Sequence, residues 1–297
     1  MSRRTVLRRL LHLVVLGMLA AVVLPAAGVR PAAISLYGVE TAKGVDFSDG
    51  TLWTLVLGSD AGGRTDAIQL VGIDEQTGHA VGIGIPRDAW LEAPGIGKGR
   101  INEVYADPRG GPDVLAKVVA GLTGITPDLV VELDFDGFLE LMGTVGEVEV
   151  RTPEAFVNDG VVVRKGENTF DAEESLAYVR YRTGLTNYDF DRSANQQRLM
   201  LAALRQLRAQ EDDVGFMERA TVAALDGLQT DLSPTELYRL AQFLTTADPG
   251  SVDSCVLPGT TATRGEGASV VILDGVTARR VGKDAARDFR LRSCPES

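Results

Sequence analysis

From position 51 onward, short apolar runs closed by turn residues alternate with longer stretches whose apolar residues recur at helical spacing. TLWTLVLGSD (51–60) reads as a buried strand ending in a glycine turn. DAIQLVGIDEQTGHAVGIGIPRD (66–88) supplies two more strands, joined by a turn over Glu75 to Gly78. GGPDVLAKVVAGLTGI (110–125) then shifts to the helical period, with Pro112 near the helix start. DLVVELDF (128–135) returns to strand, DGFLELMGTVG (136–146) is a helix closed by glycine, and EVEVRTPEAF (147–156) is again a strand. FDAEESLAYV (170–179) predicts a helix capped by Asp171, with acids in its first turn where the helix dipole favours them. SANQQRLMLAALRQLRAQ (193–210) is the longest helical pattern. SPTELYRLAQFL (233–244), with a serine cap, is another; SVVILDG (269–275) is a last strand before a short C-terminal helix. Alternation of this kind predicts α/β architecture, a three-layer α/β/α body with a central mixed sheet covered on both faces.

The first thirty residues follow a different rule. MSRRTVLRRLLHLVVLGMLAAVVLPAAGV places Arg3, Arg4, Arg8 and Arg9 before an apolar run from Leu10 to Val29, broken only by His12, two glycines and Pro25. About 20 helical residues at roughly 1.5 Å each span a bilayer core of roughly 30 Å. Arginines ahead of the run place the N-terminus in the cytoplasm and the rest of the chain outside. A cleaved signal peptide, with LPAAG near the cleavage site, is the competing reading, and both readings export the remainder. The expected organisation is a cytoplasmic tip and transmembrane helix over 1–30, a linker over 31–50 and one exported domain over 51–297.

Composition narrows the chemistry. The chain of 297 residues has a formal net charge of −11, and without residues 1–30 it keeps 25 basic against 41 acidic residues. A nucleic-acid surface needs broad positive charge, so that class is excluded and any anion site must be local. The two cysteines, Cys255 and Cys294, suit a disulfide in an exported protein; two buried thiols are the alternative. Of the two histidines, His12 lies in the apolar run and His79 in a turn, which leaves a Ser-His-Asp triad or a histidine-rich zinc site without material. Carboxylates, arginines and a hard metal ion remain.

Those groups cluster in the pattern. Asp60 ends a strand and Asp66 follows across the loop SDAGGRTD, at the sheet mouth where open α/β folds bind ligands. Glycines at 58, 62 and 63 let backbone N–H groups approach an anion, and two carboxylates suit Mg²⁺ held jointly with substrate phosphates. A glycine-rich turn with solvated aspartates has the same appearance. Arg87 follows a strand in IPRD, and Arg100 lies on the next loop in KGRIN. Arg180 and Arg182 are two apart on an extended segment, while Arg192 and Gln196 share one face of the long helix. Guanidinium forks bind phosphate oxygens bidentately. With 25 arginines against 5 lysines, however, arginine also serves as the chain's ordinary surface cation.

The blocks LVLGSD, GRTDAIQLVGID, VGIGIPRDAW, KGRIN, GGPDVL, LTGITPDLVVELDFDGF, VGEVEV, AEESLAYVRYR and DFDRSANQQ occur in that order over roughly residues 52–277. In this the chain resembles the LytR-CpsA-Psr family, in the short form without an additional C-terminal domain. The resemblance implies a single-pass membrane phosphotransferase facing outward. Its substrate would be a phosphoglycan, such as a teichoic acid or arabinogalactan, on a polyprenyl-pyrophosphate carrier, and its acceptor peptidoglycan, usually a muramic-acid 6-hydroxyl. It further implies that Asp60 and Asp66 hold Mg²⁺ or Mn²⁺, and that Arg64, Arg87, Arg100, Arg180, Arg182, Arg192 and Gln196 hold the pyrophosphate. Asp60, Asp66, Arg64 and Arg87 would be nearest the chemistry. Gly62 stands where the family's first block often carries another arginine. Leu115, Val118, Val119 and Leu122, or Leu139, Leu141 and Met142, are apolar helix faces that suit either a lipid tunnel or an ordinary core.

Overall fold

The computed structural model describes residues 34–38, 49–60, 63–210, 228–230, 236, 239–240, 244, 246–264 and 267–295. In chain order these form β1 (Ile34–Gly38), β2 (Thr51–Ser59), β3 (Thr65–Asp74), β4 (Ala80–Gly84), the hairpin β5 (Trp90–Ala93) and β6 (Gly97–Arg100), α1 (Ile101–Val104), α2 (Pro112–Thr123), β7 (Leu129–Leu133) and α3 (Phe135–Val145). Four short strands follow: β8 (Val148–Thr152), β9 (Phe156–Asn158), β10 (Val161–Val163) and β11 (Gly166–Phe170). Then come α4 (Ala172–Arg180), α5 (Asp189–Ala209), β12 (Leu228–Thr230), β13 (Val252–Val256), β14 (Gly259–Arg264), β15 (Ala268–Leu273) and α6 (Gly275–Asp288).

Seven strands build one mixed sheet in the order β12-β1-β7-β2-β3-β4-β13. β2 runs parallel to β7, and β4 to β13, while β3 is antiparallel to both β2 and β4. The register therefore brings the ends of β2, β4, β7 and β13 and the beginning of β3 to one edge. β1 begins at that edge too, with Ile34 opposite Leu133. Residues 34–38 are thus a strand of the sheet rather than part of a linker. The apolar run 10–29 lies outside the described residues, as does most of the helix expected over 233–244. Among the described residues no helix is long and apolar enough to cross a membrane.

The two faces of the sheet differ. Leu55, Leu57, Ile68, Leu70, Val81 and Ile83 close one face against α2 and α6, through Leu115, Val118, Val119, Ala278, Val281 and Ala285. These α2 residues are ordinary core, which settles their sequence ambiguity. Met142 is core as well, packed with Tyr178 and Leu199, whereas Leu141 is exposed. On the opposite face, which α5 crosses at β3, β4 and β13, the alternate residues Val56, Val71, Val131 and Leu133 are only half-buried. That half-buried apolar row leads to the edge where the strands end.

Local chemistry fixes the flanking helices. Asp171 accepts from the backbone N–H of Glu174, whose carboxylate accepts in return from the Asp171 N–H, a complete capping box. Cys255 and Cys294 form a disulfide that ties β13 to the segment after α6. Gln197 on α5 donates to the carbonyls of Gly82 and Cys255, at 3.1 and 2.9 Å, and so pins α5 across β4 and β13.

Candidate active site

At the shared edge the strand register aims the aspartates. Gly58 pairs with Ala67 and Ser59 with Thr65, which makes Asp66 the extra residue of a β-bulge. Bulges re-aim a side chain, and here the side chain is a carboxylate at the mouth of the sheet. Asp66 accepts from Arg87 Nη1. Asp60, just past β2, accepts from the Arg64 backbone N–H at 3.0 Å and from Arg64 Nη2 at 3.1 Å.

The turn after β4 carries Arg87 and Asp88. It is fastened on both sides: Ile101 N–H donates to the Ala89 carbonyl at 2.8 Å, and Asn102 N–H to the Arg87 carbonyl at 3.1 Å. The β5–β6 hairpin, with Trp90 opposite Arg100, returns the chain so that Arg100 lands beside Arg87. Asp88 is only 3% exposed and is the hub of the cluster. Its Oδ2 lies 2.6 Å from Arg182 Nη2; its Oδ1 lies 3.8 Å from Arg87 Nε and 3.9 Å from Arg100 Nη1. Burial first, and then the neighbouring Asp189 carboxylate, push the Asp88 carboxyl above the usual range, while Arg182, Arg87 and Arg100 pull it down.

The first turn of α5 supplies the rest. Arg192 and Asp189 are both buried and pair across one helical turn, and Asp189 Oδ2 accepts from the Asp88 backbone N–H at 3.3 Å. Burial lowers the pKa of Arg192, and the Asp189 carboxylate opposes that shift. One turn on, Gln196 accepts from Gln69 Nε2 at 3.1 Å and donates to the Asp66 carbonyl at 3.3 Å. The ion pairs of this edge join five arginines (64, 87, 100, 182 and 192) to five carboxylates (Asp60, Asp66, Asp88, Glu103 and Asp189).

Arg180 departs from expectation. α4 continues through Arg180 instead of giving way to an extended segment, so Arg180 and Arg182 diverge. Arg180 lies over the Phe135 ring at 4.5 Å and 3.5 Å from Asp159, beside the end of β7, whereas Arg182 faces Asp88. Gly62 lies outside the described residues. Asp88, Asp189, Asn102, Gln69 and Gln197 were not singled out in the sequence. The signal for the two acids was their position, one and three residues from arginines already singled out.

The edge is built to receive polar groups. Thr65 Oγ1, Gln69 Oε1, Arg87 Nε, Asp88 Oδ1 and Asn102 Oδ1 are buried here with no hydrogen-bond partner within the described residues. Such groups cost about 1–3 kcal/mol each when left unsatisfied, so their concentration at one edge is informative. The donor set of Asp60 and Asp66 fits a hard divalent cation, which Mg²⁺ sites commonly bind through one or two carboxylates plus phosphate oxygens. No group of three or more His, Cys, Asp or Glu converges among the described residues. Substrate oxygens and water would have to complete the coordination.

Over 201 residues the chain is 27% identical to the polyisoprenyl-teichoic acid–peptidoglycan teichoic acid transferase TagU of Oceanobacillus iheyensis, covering 66% of this chain and 59% of that protein. It is 35% identical over 161 residues to the regulatory protein MsrR of Staphylococcus aureus, covering 52% of this chain and 48% of that protein. The matched region therefore spans about half to three-fifths of the length of these curated relatives. The crystal structure of Bacillus subtilis TagT is similar at a TM-score of 0.66 and 27% identity, covering 85% of this chain and 96% of that one. A TagT structure with bound octaprenyl pyrophosphate lipid is similar at 0.64 and 27%, with coverages of 85% and 95%. The family model of the LytR_cpsA_psr family matches residues 32–287, and the chain belongs to that family.

Proposed function

We propose that the protein is a membrane-anchored transferase that moves a phosphoglycan from a polyprenyl-pyrophosphate carrier to peptidoglycan. The single observation that carries this reading is the convergence of Arg87, Arg100, Arg182 and Arg192 at one sheet edge, at the end of a half-buried apolar row. A pyrophosphate with a long apolar tail has both characters in one molecule. The similarity to a teichoic acid transferase and to TagT with its bound lipid supports the same substrate class.

In this reading the arginines grip the diphosphate, and the half-buried row of Val56, Val71, Val131 and Leu133 accepts the start of the polyprenyl chain. The acceptor hydroxyl, losing its proton, bonds to the glycan-bearing phosphorus as the P–O–P bond breaks, and charge grows on the departing polyprenyl phosphate, so fixed guanidinium groups contribute most in the transition state. Phosphoryl transfer asks a protein chiefly for positioning and electrostatics, which a site without histidine supplies. Asp60 and Asp66 would hold Mg²⁺ or Mn²⁺, and such an ion adds neutralisation of phosphate oxygens. The chain enters the sheet at Ile34 on the site edge, so an uncleaved N-terminal anchor would hold the mouth toward the outer face of the cell membrane.

A polyprenyl-phosphate-binding regulator is the second reading, favoured by the likeness to MsrR. The deciding experiment incubates the full chain with a labelled lipid-linked glycan, Mg²⁺ and peptidoglycan fragments. Label should move to peptidoglycan with the wild type. Asp66→Asn should still bind the lipid and lose transfer by at least a hundredfold, about 2.7 kcal/mol of transition-state stabilisation. Transfer by that variant at the wild-type rate, or by the wild type in excess chelator, rejects the metal-assisted mechanism. Binding without any transfer leaves the regulator, and release of label to water indicates a pyrophosphatase.

A further inference from the structure

We infer that Asp88 is the positioning residue of the pyrophosphate site, a buried carboxylate that fixes the directions of Arg87, Arg100 and Arg182 before substrate arrives. The inference rests on the proposed polyprenyl-pyrophosphate site and adds a role for a residue with no direct part in the chemistry. Three guanidinium groups from three separate elements, the turn after β4, the end of β6 and the segment after α4, meet at this one carboxylate. Arg87 also pairs with Asp66 and Arg100 with Glu103, but Asp88 is the one carboxylate the described ion pairs give to all three and the only one given to Arg182; without it the three would repel one another and swing apart, since their side chains are 18%, 29% and 32% exposed. Asp88 itself cannot turn away: it is 5% exposed at the side chain, and its backbone N–H is held by Asp189.

Stability does not account for such a residue. Buried ion pairs often add nothing over a well-packed apolar replacement, because desolvation offsets the attraction; their best-attested use is to fix geometry. The Asp88 geometry is also not that of a group gripping one partner. Only Arg182 is within hydrogen-bond distance, and Oδ1 stands between two other arginines with no hydrogen bond of its own. Arg87 Nε, the nearer of those two donors, is likewise without a hydrogen-bond partner. An Oδ1 shared loosely between two forks holds them in register without itself taking a hydrogen bond from either, so that it remains in place when Arg87 and Arg100 exchange their other partners, Asp66 and Glu103, for phosphate oxygens.

The consequence runs against simple charge counting. Removing a negative charge from an anion site should tighten anion binding if only the summed charge mattered. If Asp88 sets direction, removing its charge should weaken binding despite the extra positive charge. The experiment measures farnesyl pyrophosphate, a short polyprenyl pyrophosphate, by titration calorimetry against the full chain in detergent without added divalent metal. Asp88→Asn should bind at least tenfold more weakly than the wild type. The loss should be smaller in an Arg182→Gln background, where the closest pair is already gone, and undiminished in a Gln196→Ala background, because Asp88 does not touch Gln196. A general folding defect would act alike in both backgrounds. Should Asp88→Asn fail to fold, Asp88→Glu keeps the charge on a longer stem and should bind at least threefold more weakly at a similar melting temperature. Equal or tighter binding by the folded variant, or equal losses in the two backgrounds, overturns the inference. Absence of binding by the wild type removes both this inference and the proposed substrate, whereas wild-type binding with an unaffected Asp88 variant removes this inference alone.

Discussion

Arg192 is expected to carry two loads at once, and replacing it with glutamine separates them. Its side chain and that of Asp189 are 5% and 4% exposed, so the pair is sealed from water. Arg192→Gln leaves Asp189 buried with the Asp88 N–H, at 3.3 Å, as its remaining described hydrogen bond. Breaking one side of a buried pair costs about 3–5 kcal/mol, mostly the penalty of the stranded charge. For a body of this size each kcal/mol moves the melting temperature by about 2–4 °C, so a loss of roughly 6–20 °C is expected by scanning calorimetry. Arg64→Gln is the control. Arg64 is 53% exposed, and removing an exposed pair costs about 0–1 kcal/mol, a shift of a few degrees at most. The double variant Arg192→Met with Asp189→Asn removes the stranded charge and should recover most of the loss. An Arg192→Gln shift within that of Arg64→Gln, or a double variant no better than the single, would refute the reasoning.

Two further outcomes follow from the same geometry. The Cys255–Cys294 bridge closes a separation of 39 residues, worth about 4 kcal/mol by chain entropy, so Cys255→Ser with Cys294→Ser should lower the urea midpoint while thiol titration of the wild type finds none. The folded pKa of Asp88 lies above its unfolded value of about 3.8, so protonation of this group favours the fold. That contribution is complete below about pH 3.8 and is lost as pH rises through the folded value; urea titrations from pH 4 to pH 7 should therefore show the wild type losing ground to Asp88→Asn, and a constant difference would contradict the shift.

Much of the fold was legible because burial leaves a period in the chain. β2, β3, β4, β7, α2, α3 and α4 lie where apolar spacing predicts them. β5 and β6 were missed: GIGKG has no apolar alternation, and the hairpin forms by returning the chain to α1, a tertiary demand that leaves no local trace. α5 starts at Asp189 instead of Ser193, since its first turn is polar and is held by the site's own ion pairs. The candidate site was legible by residue type, because arginines and aspartates near strand ends are the groups the structure gathers at this edge. Which acids are buried could not be read. Asp60 and Asp66, singled out as metal ligands, lie at the mouth, while Asp88 and Asp189 lie beneath the arginines, and only the fold distinguishes the two pairs.

The equal numbers of arginines and carboxylates at this edge set the order of charge. The proposed substrate, a diphosphate diester, would bring two negative charges to a cluster whose five positive charges are already matched. Arg64 and Arg87 can turn all of their N–H groups to phosphate only if Asp60 and Asp66 find another cation. Arginine and divalent metal would therefore compete for the same carboxylates. Arg87→Gln should raise the Mn²⁺ affinity of the protein alone, with no phosphate present. At about 4 Å and an effective dielectric of about 20 the gross repulsion between a unit charge and a divalent ion is about 8 kcal/mol, and solvent reaching the quarter-exposed Asp66 side chain screens most of it. A gain of about tenfold, or about 1.4 kcal/mol, is the expected remainder, read by titration calorimetry or by the Mn²⁺ resonance signal. Arg182→Gln, whose partner is Asp88, should change Mn²⁺ affinity much less. Unchanged or weaker Mn²⁺ binding by Arg87→Gln would mean that Asp66 is not a metal ligand, and that its bulge serves to hold Arg87 instead.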